Sequence, residues 1–557
     1  MISKMKCDEI DLAIVDIIVI SVFVLIAVLS IWQYNYGLSD HAIVIPFIKN
    51  FVNHSLYPGD YLIGEKPYLL TYLWDTMGMI IKYVNISLEH LFFFSYLIAI
   101  FLFFFSFYLI AITLFRKREV AVLSLLFLIL LPIPTLGDVP LFDAMFLTRT
   151  MAYPLLLFSL YFFLKKRYTT SALLQGIGFL IHPLSASYLI IMLFISLIFN
   201  LKAIGLKRSL LYLFILIAVI SPLLIRKLFL PIPSSSLFHV DPEWLKFLRL
   251  RSSHHIFPFS WGARPLVKEG LLVIAFFLSW KYKPREEYHR VILCLTASIF
   301  LLFICGTLFT QFMPISVVIQ FQLFKSSVFL AYLAIIYFAN YFFNEIQFKK
   351  NIFYKISVII ISILFFYSKK SLIVFLFLGS FIIFYNAIFR KELYRMRVFV
   401  LVLIIFSLVA GGVRYFTREH SFSIVNAQDK NWIDIQKWAK SNTNITDMFI
   451  VPPTLEGFRI GSERTIYGNR KDGTQTFFNP TFGNKWFKRM KALGYSRENE
   501  NPFGDGFKRL DEAAFVNIAH EESMGNRKTF LVMFVDRMPL KFPIVYRNNR
   551  FIVYEIR

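Results

Sequence analysis

Apolar runs of about 20 residues recur along the first three quarters of the chain, and a run of that length crosses the hydrocarbon of a bilayer as one helix. The pattern predicts spans near 12–32, 90–115, 119–134, 150–164, 169–182, 184–200, 209–230, 270–282, 290–308, 326–344, 352–368, 371–389 and 397–415. The short stretches 169–182 and 184–200 read as a tight hairpin turning at His182-Pro183. Between the first two spans, residues 33–89 are too polar to cross, and too broken by Pro46, Pro58, Gly59, Gly64 and Pro67. Apolar positions at helical spacing over 41–52 and 69–84 predict helices lying along the membrane interface there. After about residue 416 the long apolar runs stop. Helices over 429–440 and 509–522, a buried strand from Asp447 stopped by Pro452-Pro453, a strand at 529–535, and a hairpin of 542–546 with 550–556 through Asn548-Asn549 predict a small α/β layer. The expected fold class is therefore a polytopic α-helical membrane protein of about thirteen transmembrane helices (1–415, with an outer loop at 33–89), followed by a soluble extracytoplasmic α/β domain (416–557).

Composition agrees: of 557 residues 57% are hydrophobic and only 17% charged, where about 25% is usual in a soluble domain. This excludes disorder, collagen and a disulfide scaffold. Cys7, Cys294 and Cys305 show no metal-binding or bridge spacing. The net charge of +24 would point to nucleic acid in a soluble protein, but its placement gives it another meaning. Basic clusters at Arg116-Lys117-Arg118, Lys165-Lys166-Arg167, Lys202 with Lys207-Arg208, Lys281 to Arg290, Lys349-Lys350 and Arg390 to Arg397 follow every second span. That is the cytoplasmic signature, so no nucleic-acid partner is expected. The N-terminus is then cytoplasmic in the plasma membrane and the C-terminal domain outside, with Lys369-Lys370 against the rule. Leu12 to Trp32 is too long for a cleavable signal peptide.

Candidate chemistry collects at the outer boundary. Asp40, with His41 beside it, directly follows the first span, and Asp60 sits in the turn Tyr57-Pro-Gly-Asp-Tyr. A carboxylate there serves as a general base or a divalent-metal ligand, or is simply a solvated residue of a helix end or turn. Arg149 enters the fourth span from the outer side, after Asp138 and Asp143, and His182 ends the next ascending helix. Polar groups at that depth are costly unless they face a cavity or a partner; snorkelling for Arg149 and a carbonyl bond for His182 are the plainer readings. Arg251 in the loop 231–269 and Lys325 in Gln320-Phe-Gln-Leu-Phe-Lys-Ser are outer-level cations for a lipid phosphate, or ordinary loop charges, and the adjacent His254 and His255 read as phosphate or acceptor contacts before metal ligands. In the C-terminal domain, Arg459 lies between Gly457 and Gly461 after the proline-stopped strand. It is a candidate for phosphate or acceptor contact from a loop facing the membrane, or a partner of local acids such as Glu456 and Glu463. There is no phosphate-binding glycine loop, metalloprotease helix or Gly-x-Ser-x-Gly elbow.

These pieces, namely Asp40-His41 with Pro46, Tyr57-Pro-Gly-Asp-Tyr, Thr148-Arg-Thr, Ile181-His-Pro, Ser253-His-His-Ile-Phe-Pro and Pro452-Pro-Thr-Leu-Glu-Gly-Phe-Arg-Ile-Gly-Ser-Glu-Arg, are spread over nearly the whole chain. Together with the many spans and the C-terminal outer domain, they resemble the GT-C superfamily of polyprenyl-phosphate-sugar-dependent glycosyltransferases, in a prokaryotic branch. One departure is that histidine follows Asp40 where the superfamily often shows paired acids, leaving Asp60 as the other acid. The resemblance implies inverting transfer of a sugar from a polyprenyl-phosphate donor to an acceptor on the outer face. Asp40 would act as base or hold a divalent cation, while Arg149, His182, Arg251 and Lys325 would hold the leaving phosphate. Two other classes fit the same polar groups: a transporter or lipid flippase, and a non-catalytic lipid-binding protein.

Overall fold

A computed structural model describes residues 14–130, 135–230, 238, 240–348, 422–498, 500–522 and 527–556. The expected spans at 352–368, 371–389 and 397–415, Cys7, the lysine and arginine clusters between 349 and 397, and the boundary at 415/416 lie outside these residues.

Within them the helices are α1 (Ile14–Ile26, continued by a π turn), α2 (His41–Val52), α3 (Leu73–Val84), α4 (Leu88–Phe115), α5 (Arg118–Leu130), α6 (Thr148–Leu164), α7 (Tyr168–Ile181), α8 (Pro183–Phe199), α9 (Leu201–Ile204), α10 (Leu206–Leu228), α11 (Pro242–Ile256), α12 (Ala263–Leu278), α13 (Glu286–Thr307), α14 (Ser316–Phe321) and α15 (Ser327–Phe348). Four helical stretches, Leu88–Phe115, Leu206–Leu228, Glu286–Phe312 and Ser316–Glu345, are long and apolar enough to cross a membrane, and the chain is an integral membrane protein. Helix α4 is apolar on every face, so it is the buried post of the bundle, with α5 and α6 against it. Helix α10 instead leaves Leu210, Phe214, Ile217 and Leu224 exposed, an unsatisfied apolar face that suits lipid.

Because successive helices alternate in direction, the basic breaks after α4, α6 and α12 come to one end of the bundle. Ion pairs join them there: Arg118 to Asp16 at 3.3 Å, Lys166 to Glu287 at 2.7 Å and Lys281 to Glu345 at 2.5 Å. The turn between α7 and α8 lies at the other end. Its abruptness has a local cause: Pro183 opens α8 at a position where its missing N–H is no loss, and the His182 ring accepts from Ser185 N–H.

The C-terminal part is a five-stranded mixed sheet of β1 (Met448–Ile450), β2 (Thr465–Ile466), β3 (Thr529–Phe534), β4 (Ile544–Arg547) and β5 (Phe551–Ile556), in the order β2-β1-β3-β5-β4. Strands β2, β1 and β3 run parallel, and β5 is antiparallel to both β3 and β4. Side chains alternate as strand geometry requires. Phe449, Val451, Phe530, Val532 and Val553 meet Trp432 and Ile435 of the helix Lys430–Asn442 on one face. Met448, Ile450, Leu531, Met533 and Tyr554 share the other face with Trp486 and Met490 of the helix Pro480–Ala492. The expected helix at 509–522 is two pieces, Asp505–Arg509 and Glu512–Glu521, because Asp511 caps the second by accepting from Ala514 N–H.

Helix α2 departs from expectation. It does not lie along lipid: His41 to Ile48 are all buried. Val44, Ile45 and Ile48 join the bundle core, whereas Ile43 and Phe47 join the core of the sheet domain. Periodicity alone could not distinguish a face turned to lipid from one turned to a second protein layer. Helix α3 keeps the amphipathic character, with Leu73, Trp74 and Met77 buried and Met79, Tyr83 and Val84 exposed. The two cross so closely that a Cβ on Gly78 would sit 2.4 Å from the Phe51 ring.

Candidate functional site

The turn before α2 positions the first acid. Gly37 and Ser39 both take positive φ, which folds the chain back sharply. His41 then locks it: Gly37 N–H donates to Nδ1 at 3.0 Å, so the ring proton sits on Nε2 and donates to the Phe146 carbonyl at 2.9 Å. Burial pushes the imidazole down to about 4, leaving it neutral at physiological pH. With both nitrogens committed, His41 is a brace for the turn and offers no lone pair to a substrate.

Asp40 stands at the N-terminus of α2 but makes no capping bond, and its Oδ1 instead meets Lys471 Nζ at 2.7 Å. Burial by itself would raise this carboxyl. Lys471, Arg149 and Lys325 outweigh it and hold the group well below the ordinary carboxylate range. The sign for stability follows: this tie contributes fully above the ordinary carboxylate value near 4, and is lost only as pH falls through the depressed folded value. Thermal unfolding of wild type and Asp40→Asn should therefore differ by the same amount at pH 7 and pH 5.

Asp40 lines a cavity of about 310 Å³ together with Arg149 and His182. Arg149 opens α6, and its Nε and Nη2 grip the buried Asp143 at 2.5 and 2.6 Å. This fork fixes the guanidinium and leaves Nη1 for the cavity. The accepting Nδ1 of His182 likewise puts its proton on Nε2, the nitrogen that remains for the cavity. The other walls come from Thr71 and Trp74, from Leu223, Leu224 and Lys227 of α10, from Gln320 and Phe321, and from Thr474, Gln475 and Phe478 of the sheet domain. Among these, the apolar Leu224, Phe321 and Phe478 are at least a third exposed.

The other expected site residues divide. Lys325 lies in the 3-10 turn Leu323–Ser326 with its stem against Gly137, electrostatically coupled to Arg149, Asp40, Asp138 and Asp143, and it forms no ion pair among the described residues. Arg251 docks α11 on the sheet domain, donating to the Arg470 carbonyl at 3.3 Å and to Thr474 Oγ1 at 3.4 Å. His255 Nδ1 donates to the Gly137 carbonyl at 2.6 Å, and His254, exposed, lies beside it with ring centres 3.9 Å apart and planes tilted by 53°. Neither histidine lines the cavity.

Asp60 and Arg459 are brought together, but away from the cavity. Arg459 Nε and Nη2 bind the Asp60 carboxylate at 2.7 and 3.0 Å, while Nη1 and Nη2 bind Asp472 at 2.9 and 3.1 Å. Asp60 additionally accepts the N–H groups of Leu62 and Ile466. The expectation that loop 456–464 faces the cavity is corrected here. The sheet domain reaches it through the 3-10 stretch Lys471–Phe477 instead, and Arg459 is turned inward because two buried carboxylates claim it. Among the described residues no group of three or more His, Cys, Asp or Glu is placed to hold a metal ion, and Asp40 faces a lysine rather than a second acid.

Lys471 is the group that sequence reading overlooked. Nothing in Arg470-Lys471-Asp472 distinguishes it from a surface charge, and its partner lies over four hundred residues earlier.

Comparison with known proteins adds the following. A family model described as a domain of unknown function (DUF6798) matches residues 430–493, which run from the first helix of the sheet domain through the helix Pro480–Ala492. No curated protein matches. Among solved structures the chain is similar to ArnT from Cupriavidus metallidurans, in a crystal structure bound to undecaprenyl phosphate (11% identity, 98% of each chain covered, TM-score 0.49) and in one of the apo state (11%, 98% of each, TM-score 0.48). Likeness at this level carries no weight for the chemistry of the site.

Proposed function

We propose that the chain is an inverting glycosyltransferase that moves a sugar from a polyprenyl-phosphate donor to a hydroxyl acceptor at the extracytoplasmic membrane face. The observation that carries this reading is the cavity in which one carboxylate, Asp40, shares the walls with Arg149, His182 and the part-exposed apolar side chains Leu224, Phe321 and Phe478. A lipid phosphate needs this combination: cations with free N–H groups for the phosphate, and an apolar exit for its tail. In the transfer, the acceptor oxygen attacks the anomeric carbon while its proton passes to Asp40, and the bond from that carbon to the phosphate oxygen breaks. The leaving polyprenyl phosphate takes the electron pair and is stabilised by Arg149 Nη1 and His182 Nε2–H, with Lys325 adding longer-range positive potential. Arg251, His254 and His255 lie outside the cavity lining and are given no part in this step.

Transport would call for a path through the bundle. Among the described residues, the space between Phe107, Leu160, Leu189 and Leu333 is a void of about 10 Å³ with no polar surface, which suits neither water nor an ion. A lipid-binding protein without catalysis would have no use for a carboxylate held ionised at the phosphate site.

Two measurements test the reading. Arg149→Lys keeps the charge but loses the fork on Asp143, so binding of polyprenyl phosphate should weaken by about 2 kcal/mol, roughly thirtyfold; unchanged affinity would remove Arg149 from the phosphate site. The sidedness is tested with Met538→Cys, at a position 86% exposed in the sheet domain. It should react with an impermeant maleimide in intact cells, and reaction only after permeabilisation would put the site on the cytoplasmic face.

A further inference from the structure

Asp40 stands near the start of the chain, yet the group that holds it comes from the C-terminal sheet domain. Lys471 Nζ lies 2.7 Å from Asp40 Oδ1 and 3.2 Å from Ser39 Oγ, and its side chain is only 12% exposed. No hydrogen bond occupies Asp40 Oδ2 among the described residues, so the contact fixes one oxygen and leaves the other open beside the cavity. Lys471 is itself rigidly mounted. Its N–H donates to Asn469 Oδ1 at 2.7 Å, its carbonyl accepts from Thr474 Oγ1 at 2.9 Å, and the next residue, Asp472, is gripped by Arg459. Thr474 and Gln475, one turn on, form part of the cavity wall.

We propose that Lys471 is a positioning residue of the transfer reaction, presenting Asp40 Oδ2 to the acceptor by holding Oδ1, so that the sheet domain is a working part of the site. This rests on the glycosyltransferase reading above. A carboxylate on a turn is free to rotate about its side-chain bonds, and a misplacement of about 1 Å at a reacting group costs on the order of a hundredfold in rate. Lysine suits the task because its three donors can serve Asp40 and Ser39 together. The contact also supplies the largest of the positive charges that keep Asp40 ionised against burial. The charged and titratable groups facing Asp40 are Lys471 from the sheet domain, Arg149 from α6, His182 from the turn between α7 and α8 and Lys325 from the turn before α15, with Arg251 of α11 and Glu456 of the sheet domain farther out and neutral His41 adjoining.

The test uses the full chain in detergent with polyprenyl-phosphate-glucose and polyprenyl-phosphate-mannose as donors and total envelope lipid as acceptor, read as release of polyprenyl phosphate. Lys471→Met should lower kcat at least tenfold while the donor KM stays within about threefold. It should also bring an acidic limb into the pH profile near the ordinary carboxylate range, because Asp40 has lost its nearest countercharge. Lys471→Arg should recover much of kcat and abolish that limb. A kcat for Lys471→Met within twofold of wild type with no new limb overturns the inference. If that result accompanies an inactive Asp40→Asn, the glycosyltransferase reading stands without it. If Lys471→Met loses kcat with no limb and arginine does not restore it, the role is structural and the inference also fails. No transfer by the wild type with either donor overturns both.

Discussion

Asp40→Asn should lower sugar transfer at least a hundredfold, by the ~10²–10⁴ that a positioned base contributes, while leaving binding of the polyprenyl-phosphate donor nearly unchanged. The substitution keeps the size and shape of the side chain and removes only its charge and basicity. Arg149 stays fixed by Asp143 and His182 by Ser185, so the phosphate half of the site is undisturbed. Removing a positioned general base typically costs about 10²–10⁴-fold in rate, and an amide at this position should lower turnover by about that factor. Release of polyprenyl phosphate measures the loss, and donor binding by native mass spectrometry supplies the control. Wild-type turnover in Asp40→Asn would withdraw the base assignment. Asp60→Asn separates the two acids of the first loop: because Asp60 is buried against Arg459, its replacement should lower thermal stability before it lowers turnover per folded molecule.

Arg459→Met should destabilise the protein by about 3–5 kcal/mol, the cost of leaving buried charge uncompensated. Asp60 and Asp472 would then face each other with no cation between them, with side chains at most 2% exposed. Tyr61 donates to Asp472 Oδ2 at 2.8 Å, and one neutral donor cannot replace a guanidinium bridging two carboxylates. The loss should appear as a lower midpoint of thermal unfolding in detergent. Neutralising the acids as well, in Arg459→Met with Asp60→Asn and Asp472→Asn, should recover most of it. Wild-type stability in Arg459→Met together with weakened lipid-phosphate binding would return Arg459 to the role of ligand.

Much of the bundle was legible in the sequence, because long apolar runs have one economical arrangement in lipid and proline marks where they turn. The break at His182-Pro183 and the convergence of Asp40, Arg149 and His182 on one cavity follow from counting alternate spans. Sequence was silent wherever a polar residue's partner is far along the chain. Asp60 and Arg459 were each legible as charges of interest, but their mutual pairing spans a separation of 399 residues and no local pattern encodes it. Lys471 was missed for the same reason. Helix α2 shows a different limit: its apolar period was correct, whereas the medium it faces depends on a domain placed hundreds of residues later.

Helix α2 also bears on how the protein matures. The core that receives its Ile43 and Phe47 is built mostly from the last quarter of the chain, and the lysine that holds Asp40 comes from there too. Loop closure over that distance is slow in entropic terms. During synthesis the helical bundle is therefore inserted while this segment is still unsatisfied, and the site is completed as one of the final events of folding. A chain cut short before residue 471 would sit in the membrane with an unbraced acid and an uncovered helix, which is a ready mark for proteolytic clearance.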